Sequence, residues 1–176
     1  MDDKQWQSIL DCHLTAPFKI LRAAQPHIKR LFLEEKEQGI INFRKVVNIS
    51  STSGMNGNAG QINYATAKAG VVGMAKTMAK EWGRYNVNVN AVGFGLIKTR
   101  LTDADAEKEE SLIDIEGNKI KVGVNSAVFQ SAKTMIPLGR PGTPEEAAGA
   151  IYMFCIPESN YVTGQILMCH GGGFGL

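Results

Sequence analysis

The 176-residue sequence predicts an α/β fold, a parallel sheet with helical crossovers, on three observations. Lys45-Val46-Val47-Asn48-Ile49-Ser50 reads as a short buried strand; a Gly/Asn/Ser-rich loop through Gln61, a helix over 63–82 and a second strand over 87–92 follow it. Strand, loop, helix, strand is the order of a crossover unit, which joins parallel strands. The alternation then recurs, with a helix over 144–154 and a strand over 165–169.

Ahead of the first strand, Ile9, Leu10, Leu14, Phe18, Leu21, Ile28 and Leu31 recur at helical spacing, so residues 6–33 are expected to form a long amphipathic helix bent near Pro26. The charged residues 34–38 and Gly39 close it. Glu81-Trp82-Gly83 stops the second helix. The stretch 99–137 begins polar, then alternates at Ile113-Asp114-Ile115 and Ile120-Lys121-Val122 around Glu116-Gly117-Asn118, the pattern of a hairpin over 113–122. Three parallel-strand candidates are fewer than the six of a doubly wound dinucleotide-binding sheet. The expectation is one partial domain over 1–176, the C-terminal portion of a Rossmann-type sheet with flanking helices, interrupted by an insertion over 100–136.

Composition narrows the function classes. With 44% hydrophobic and 20% charged residues the chain suits a globular core, which excludes disordered and fibrous classes. Nineteen Lys and Arg against 17 Asp and Glu are scattered, not gathered into a phosphate-tracking stripe, so nucleic acid is not an expected partner. The start has no signal-peptide order and every long uncharged run carries polar residues or several glycines, so a soluble, cytoplasmic protein without a membrane partner is expected. Cys12, Cys155 and Cys169 form no CxxC pair and read as buried structural thiols in a reducing compartment, with no metal site.

The chemistry lies in Asn48-Ile49-Ser50-Ser51-Thr52-Ser53-Gly54 and Gly57-Asn58-Ala59-Gly60-Gln61-Ile62-Asn63-Tyr64-Ala65-Thr66-Ala67-Lys68. Four-residue spacing on a helix puts Tyr64 and Lys68 on one face. A free phenol titrates near ~10, and bringing one to ~7 takes roughly 4 kcal/mol. A cation about 4 Å away supplies that order of energy at an effective dielectric near 20. With Ser51 at a strand end before the Tyr/Lys helix, and Val87-Asn88-Val89-Asn90-Ala91-Val92 after it, the chain resembles the short-chain dehydrogenase/reductase family, in particular its 3-oxoacyl-[acyl-carrier-protein] reductases. The resemblance implies that Tyr64 exchanges the proton on the substrate oxygen, Ser51 hydrogen-bonds that oxygen, and Lys68 assists Tyr64 and binds the nicotinamide ribose. The cofactor it implies is NAD or NADP, the source of the hydride chemistry.

Anchored on Trp6 and Phe18, His13 stands where the family has a relay Asn. Imidazole can donate and accept, so a relay is open to it, as is a helix histidine satisfied by local hydrogen bonds. Some relatives that oxidise 3-hydroxyacyl thioesters also carry His there, which tilts the substrate class toward acyl thioesters. His27 and His170 have no partner pattern. Gly93-Phe94-Gly95-Leu96-Ile97-Lys98-Thr99 replaces a family loop, with Phe94 where proline is usual; by resemblance Gly95, Ile97 and Thr99 are cofactor contacts. The last strand and Gly171-Gly172-Gly173 match a region that packs between subunits in the family. No counterpart of the family's glycine-rich pyrophosphate turn precedes Trp6, so the glycine-rich half is expected to be missing, and with it the choice between NAD and NADP.

Two readings follow. One is an oxidoreductase acting on carbonyls and alcohols, 3-oxoacyl or 3-hydroxyacyl thioesters among them, as a homodimer or homotetramer. The other is a non-catalytic truncated remnant or assembly subunit. Open strand edges favour oligomers, and the resemblance implies a dimer axis along the helices over 6–33 and 63–82, where the small residues Ala65, Ala69, Gly73 and Ala75 permit close approach.

Overall fold

The computed structural model describes residues 1–99, 112–115, 118–121 and 134–173. The chain forms two compact units, Met1–Gly93 with Ala150–Met168 and Phe94–Gly149 with Cys169–Leu176.

The first unit opens with α1 (Asp3–Leu10). A capping box starts it: the Gln5 N–H donates to Asp2 Oδ1 at 2.8 Å and the Asp2 N–H to Gln5 Oε1 at 3.0 Å. A π turn (Asp11–Thr15) leads into α2 (Ala16–Glu37), which runs on through Pro26. A further irregularity, the π turn before Pro17, was not expected from the sequence. The α2 helix ends at Gln38, and Gly39 leaves it with φ +69°, a left-handed conformation that glycine adopts without steric cost. Glu35 fastens this end to the first strand: its carboxylate accepts two hydrogen bonds from Arg44, at 2.9 and 2.6 Å, and one from Asn42. Those bonds hold the Glu35 carboxyl below its ordinary range.

Strand β1 (Arg44–Ser51) is followed by a short helix, α3 (Thr52–Asn56), where the sequence reads only as loop. The Ser51 side chain caps it, accepting the Ser53 N–H at 3.2 Å. Next come α4 (Ile62–Trp82), a 3₁₀ turn (Gly83–Tyr85) and β2 (Val87–Phe94). The last strand, β5 (Ile166–Cys169), lies against β2, giving the order β1-β2-β5. Partners along β2 and β5 advance together, Gly164 to Val89, Ala91 to Gln165 and Gly95 to Cys169, so the pair is parallel. The sheet is therefore parallel and flanked by helices, with β1 paired on one edge only among the described residues.

The core forms where α4 covers the sheet. Ala75, Met78, Ala79 and Trp82 of α4 bury against Val87, Val89 and Ala91 of β2, with Leu21 and Ile28 of α2 and Val46 of β1 at the margin. Ala75 is fully buried there, which removes it from the proposed subunit contact; Ala69 and Gly73 stay exposed. Beta alternation sends Asn88 and Asn90 of β2 the other way. Asn88 accepts from Lys45 Nζ and donates to the Asn160 carbonyl, while Asn90 donates to the Val162 carbonyl and accepts the Gln165 N–H. The thiols depart from expectation: Cys12 and Cys155 are exposed and Cys169 half-buried, all three free. Cysteine's average preference for burial yields here to position, since Cys12 lies in the π turn and Cys155 in the turn after the 144–152 helix.

In the second unit β3 (Leu112–Ile115) and β4 (Asn118–Lys121) form the expected antiparallel hairpin, Ile113 opposite Ile120 and Ile115 opposite Asn118. Val122 and the connecting residues 116–117 lie outside the described residues, as does most of the 100–136 insertion. Helix α5 (Pro144–Tyr152) begins with a second capping box: the Glu146 N–H donates to Thr143 Oγ1 and the Thr143 N–H to Glu146 Oε2. The loop after β2 is pinned by a parallel bridge between Ile97 and Gly142. The Gly171-Gly172-Gly173 segment is packed: a Cβ at Gly171 would lie 2.7 Å from Ile136, and both Gly171 and Gly172 have positive φ. No described helix is long and apolar enough to cross a membrane.

Candidate active site

The site is built where α4 crosses the end of β1. Three contacts fix that crossing: Ser50 Oγ donates to the Lys68 carbonyl at 2.8 Å, Lys68 Nζ donates to the Ile49 carbonyl at 3.0 Å, and Gly54 of α3 lies against the Lys68 backbone. A Cβ at Gly54 would fall 2.7 Å from the Lys68 carbonyl carbon, closer than real Cβ atoms approach, so this packing requires glycine. Residues 49, 50 and 54 all hold Lys68, and Ser51 lies between them at the strand end. Ser51 thereby shares the end of β1 with the Tyr64/Lys68 helix.

Lys68 is 7% exposed. Burial pulls its pKa below the usual lysine value, and the neighbouring Cys12 opposes that weakly. Its ammonium stands 5.6 Å from the centre of the half-buried Tyr64 ring, within cation–π range. The His13 imidazole meets the same ring edge on, with centroids 5.2 Å apart and planes at 88°. Burial and then the Lys68 charge lower the His13 pKa from 6.5, so the imidazole is biased toward the neutral form, which can both donate and accept. The structure thus gathers His13 and Lys68 around Tyr64.

Gly95, Ile97 and Thr99 lie in the second unit, on the loop after β2 that Gly142 pins through the Lys98 N–H and its own N–H to Leu96. His27 is exposed, and His170 accepts the Gly172 N–H on Nδ1. Among the described residues no group of His, Cys, Asp and Glu is placed to hold a metal.

Four supporting residues escaped the sequence reading. Gly54 and Ser50 hold Lys68, as above. Asn63 is buried; its Nδ2 donates to the Gln5 carbonyl at 3.0 Å and its Oδ1 accepts the Tyr64 N–H at 2.8 Å, which satisfies a free amide in a first turn that lacks a side-chain cap. Gly70 receives Leu14, whose methyl carbons lie 2.9 and 3.0 Å from where its Cβ would be. Only strand alternation hinted at one of them, since it places Ser50 on the same face as Val46.

The family model described as enoyl-(acyl carrier protein) reductase matches residues 1–173. Curated relatives include the 3-oxoacyl-[acyl-carrier-protein] reductases of Thermotoga maritima, 36% identical over 98% of this chain, and Aquifex aeolicus, 34% identical over 96%. The short-chain reductase protein NovJ of Streptomyces niveus is 34% identical over 98%. The chain spans 58%, 56% and 57% of the lengths of these relatives. Among solved structures, 4-hydroxyisoleucine dehydrogenase complexed with NADH superposes on 97% of the chain, with a TM-score of 0.71 at 23% identity, and the chain covers 60% of it. A mutant of that enzyme complexed with NADH and succinate gives a TM-score of 0.73 at 25% identity.

Proposed function

Because the chain belongs to the short-chain dehydrogenase/reductase family, we propose that it is an NAD(P)-dependent oxidoreductase interconverting a carbonyl and an alcohol, with 3-oxoacyl or 3-hydroxyacyl thioesters as the favoured substrates. The observation that carries the reading is the cluster of His13, Tyr64 and Lys68 held at the end of β1, the strand that ends in Ser51. The donor set fits a nicotinamide cofactor: a buried ammonium that gives one hydrogen bond to Ile49 has further donors for ribose hydroxyls. The cofactor, when bound, supplies or accepts the hydride.

The protein's own residues handle the proton. In the reductive direction the Tyr64 hydroxyl donates its proton to the substrate oxygen, and the phenolate left behind is stabilised by the Lys68 ammonium, whose burial strengthens the attraction. Ser51 donates a hydrogen bond to the same oxygen and orients the carbonyl. His13, biased toward the neutral form by burial and by Lys68, relays a proton from solvent toward Tyr64, accepting it on one ring nitrogen as the other gives up its own. The family pattern assigns Gly95, Ile97 and Thr99 to cofactor contact.

A second reading is favoured by one observation: among the described residues β1 is paired on one edge only, which leaves the other edge open to a partner. On it the chain is an assembly subunit without catalytic activity of its own. Titrating NADH and NADPH against the pure protein, with cofactor fluorescence as readout, separates the two. Saturable binding and turnover of a 3-oxoacyl thioester support the dehydrogenase; absence of both in a folded protein supports the second reading.

A further inference from the structure

The turn that carries His13 is closed by a hydrogen bond from the Ala16 N–H to the Asp11 carbonyl, five residues back, and Pro17 follows in the first turn of α2. In a regular α-helix the amide of residue 17 would bond the His13 carbonyl. Proline has no such donor, and its ring collides with that same carbonyl. Widening the turn by one residue relieves the collision, so the distortion acts on His13 directly. It also has a rotational consequence: one extra residue turns all that precedes it by about 100° around the helix axis relative to all that follows.

Three contacts with α4 depend on that rotation. Leu14 seats at Gly70, the Gln5 carbonyl accepts from Asn63, and the His13 ring meets Tyr64 edge on. We propose that Pro17 is a positioning residue: by enforcing the π turn it sets His13 against Tyr64, and Gly70 is the socket that receives the turn. The structural part stands alone, and its kinetic part rests on the dehydrogenase reading.

The test is Pro17→Ala in the full chain, followed by NMR. Nuclear Overhauser contacts between the His13 and Tyr64 rings are expected in the wild type and lost in the variant. The His13 titration, set by burial and by Lys68 in surroundings shared with Tyr64 and Cys12, is expected to move up toward 6.5. Helicity should hold or rise, since alanine restores a helix donor. A folded P17A protein that keeps both the ring contact and the lowered titration overturns the proposal. Pro17→Gln, which also restores the N–H, repeats the test with a polar side chain if P17A aggregates. In protein that turns over, kcat should fall roughly ten- to a hundredfold with KM unchanged. An unchanged kcat beside a lost ring contact overturns the claim that this contact serves the reaction. If neither protein turns over, the dehydrogenase reading fails while the ring contact still decides the role of Pro17.

Discussion

The α2 and α4 helices invert what their sequences advertise. α2 carries the stronger apolar stripe, yet none of its residues is fully buried, and Phe18, Ile20, Leu31 and Leu33 are exposed. α4 is a weakly patterned run of Ala, Gly, Val and Met, yet it buries Val71, Val72, Ala75, Met78 and Trp82 together with the polar Asn63 and Lys68. A helix covered on most of its sides has little amphipathic contrast to display, whereas a stripe says only that a face wants a partner, not that the same chain provides one. α2 is anchored at its end by a polar clasp, Glu35 with Arg44 and Asn42; α4 is anchored by close packing. The candidate site is accordingly built on α4.

The contrast predicts its own hierarchy of effects. The largest belongs to the α4 site: Tyr64→Phe in the cofactor-loaded protein should lower kcat by at least the ~10² to 10⁴ typical of a lost general acid, while leaving thermal stability unchanged. Steady-state turnover of a 3-oxoacyl thioester checks it, and near-normal kcat would remove Tyr64 from the proton path.

Next is the packing of α4. Gly54→Ala forces a methyl into the Lys68 backbone, which cannot yield as a side chain could, and should cost about 1 to 3 kcal/mol. For a chain of this size, each kcal/mol corresponds to roughly 2 to 4 °C in Tm. Calorimetry reads it directly; an unshifted Tm would mean that α3 packs on α4 loosely enough to admit a methyl group.

For α2 the expected effect is on association. We propose a homodimer or homotetramer that covers the exposed residues of α2 and the small-residue stripe Ala65, Ala69 and Gly73 of α4. Phe18→Glu should then weaken self-association by about tenfold or more, roughly 1.4 kcal/mol, with the monomer fold kept. Light scattering of the wild type showing a monodisperse monomer at micromolar concentration would refute this.

The smallest effect is the acid release of the α2 clasp. The Glu35 carboxyl is held below its ordinary value of 4.5, chiefly by hydrogen bonds from Arg44 and then Asn42. A depressed folded-state pKa means that the clasp stabilises fully above about 4.5 and is lost as pH falls through the folded value. Hydrogen exchange of the last α2 turn, followed on lowering the pH, should speed up before the α4 core amides do, and Glu35→Gln should abolish that difference.

Much was determined by the sequence alone. The strand, helix, strand order follows from local periodicity, and the Tyr64 to Lys68 spacing follows from helix geometry, so both survive without any knowledge of packing. Gly39 as a helix end and the existence of the hairpin are likewise local events, set by one backbone conformation and by strand alternation, while its register, with Asn118 inside the strand, was not legible. Only the tertiary structure decided which groups surround those residues. Lys68 is buried because Gly54 and Ser50, distant in sequence, close over it. Asn63 is a clasp because Gln5 offers a carbonyl from another helix, and Ala75 faces the sheet, not a subunit partner. His13 reaches Tyr64 through a π turn whose cause, Pro17, was in plain view. Its effect depends on where α4 lies, because a helix distortion acquires meaning only through the neighbour it is rotated against.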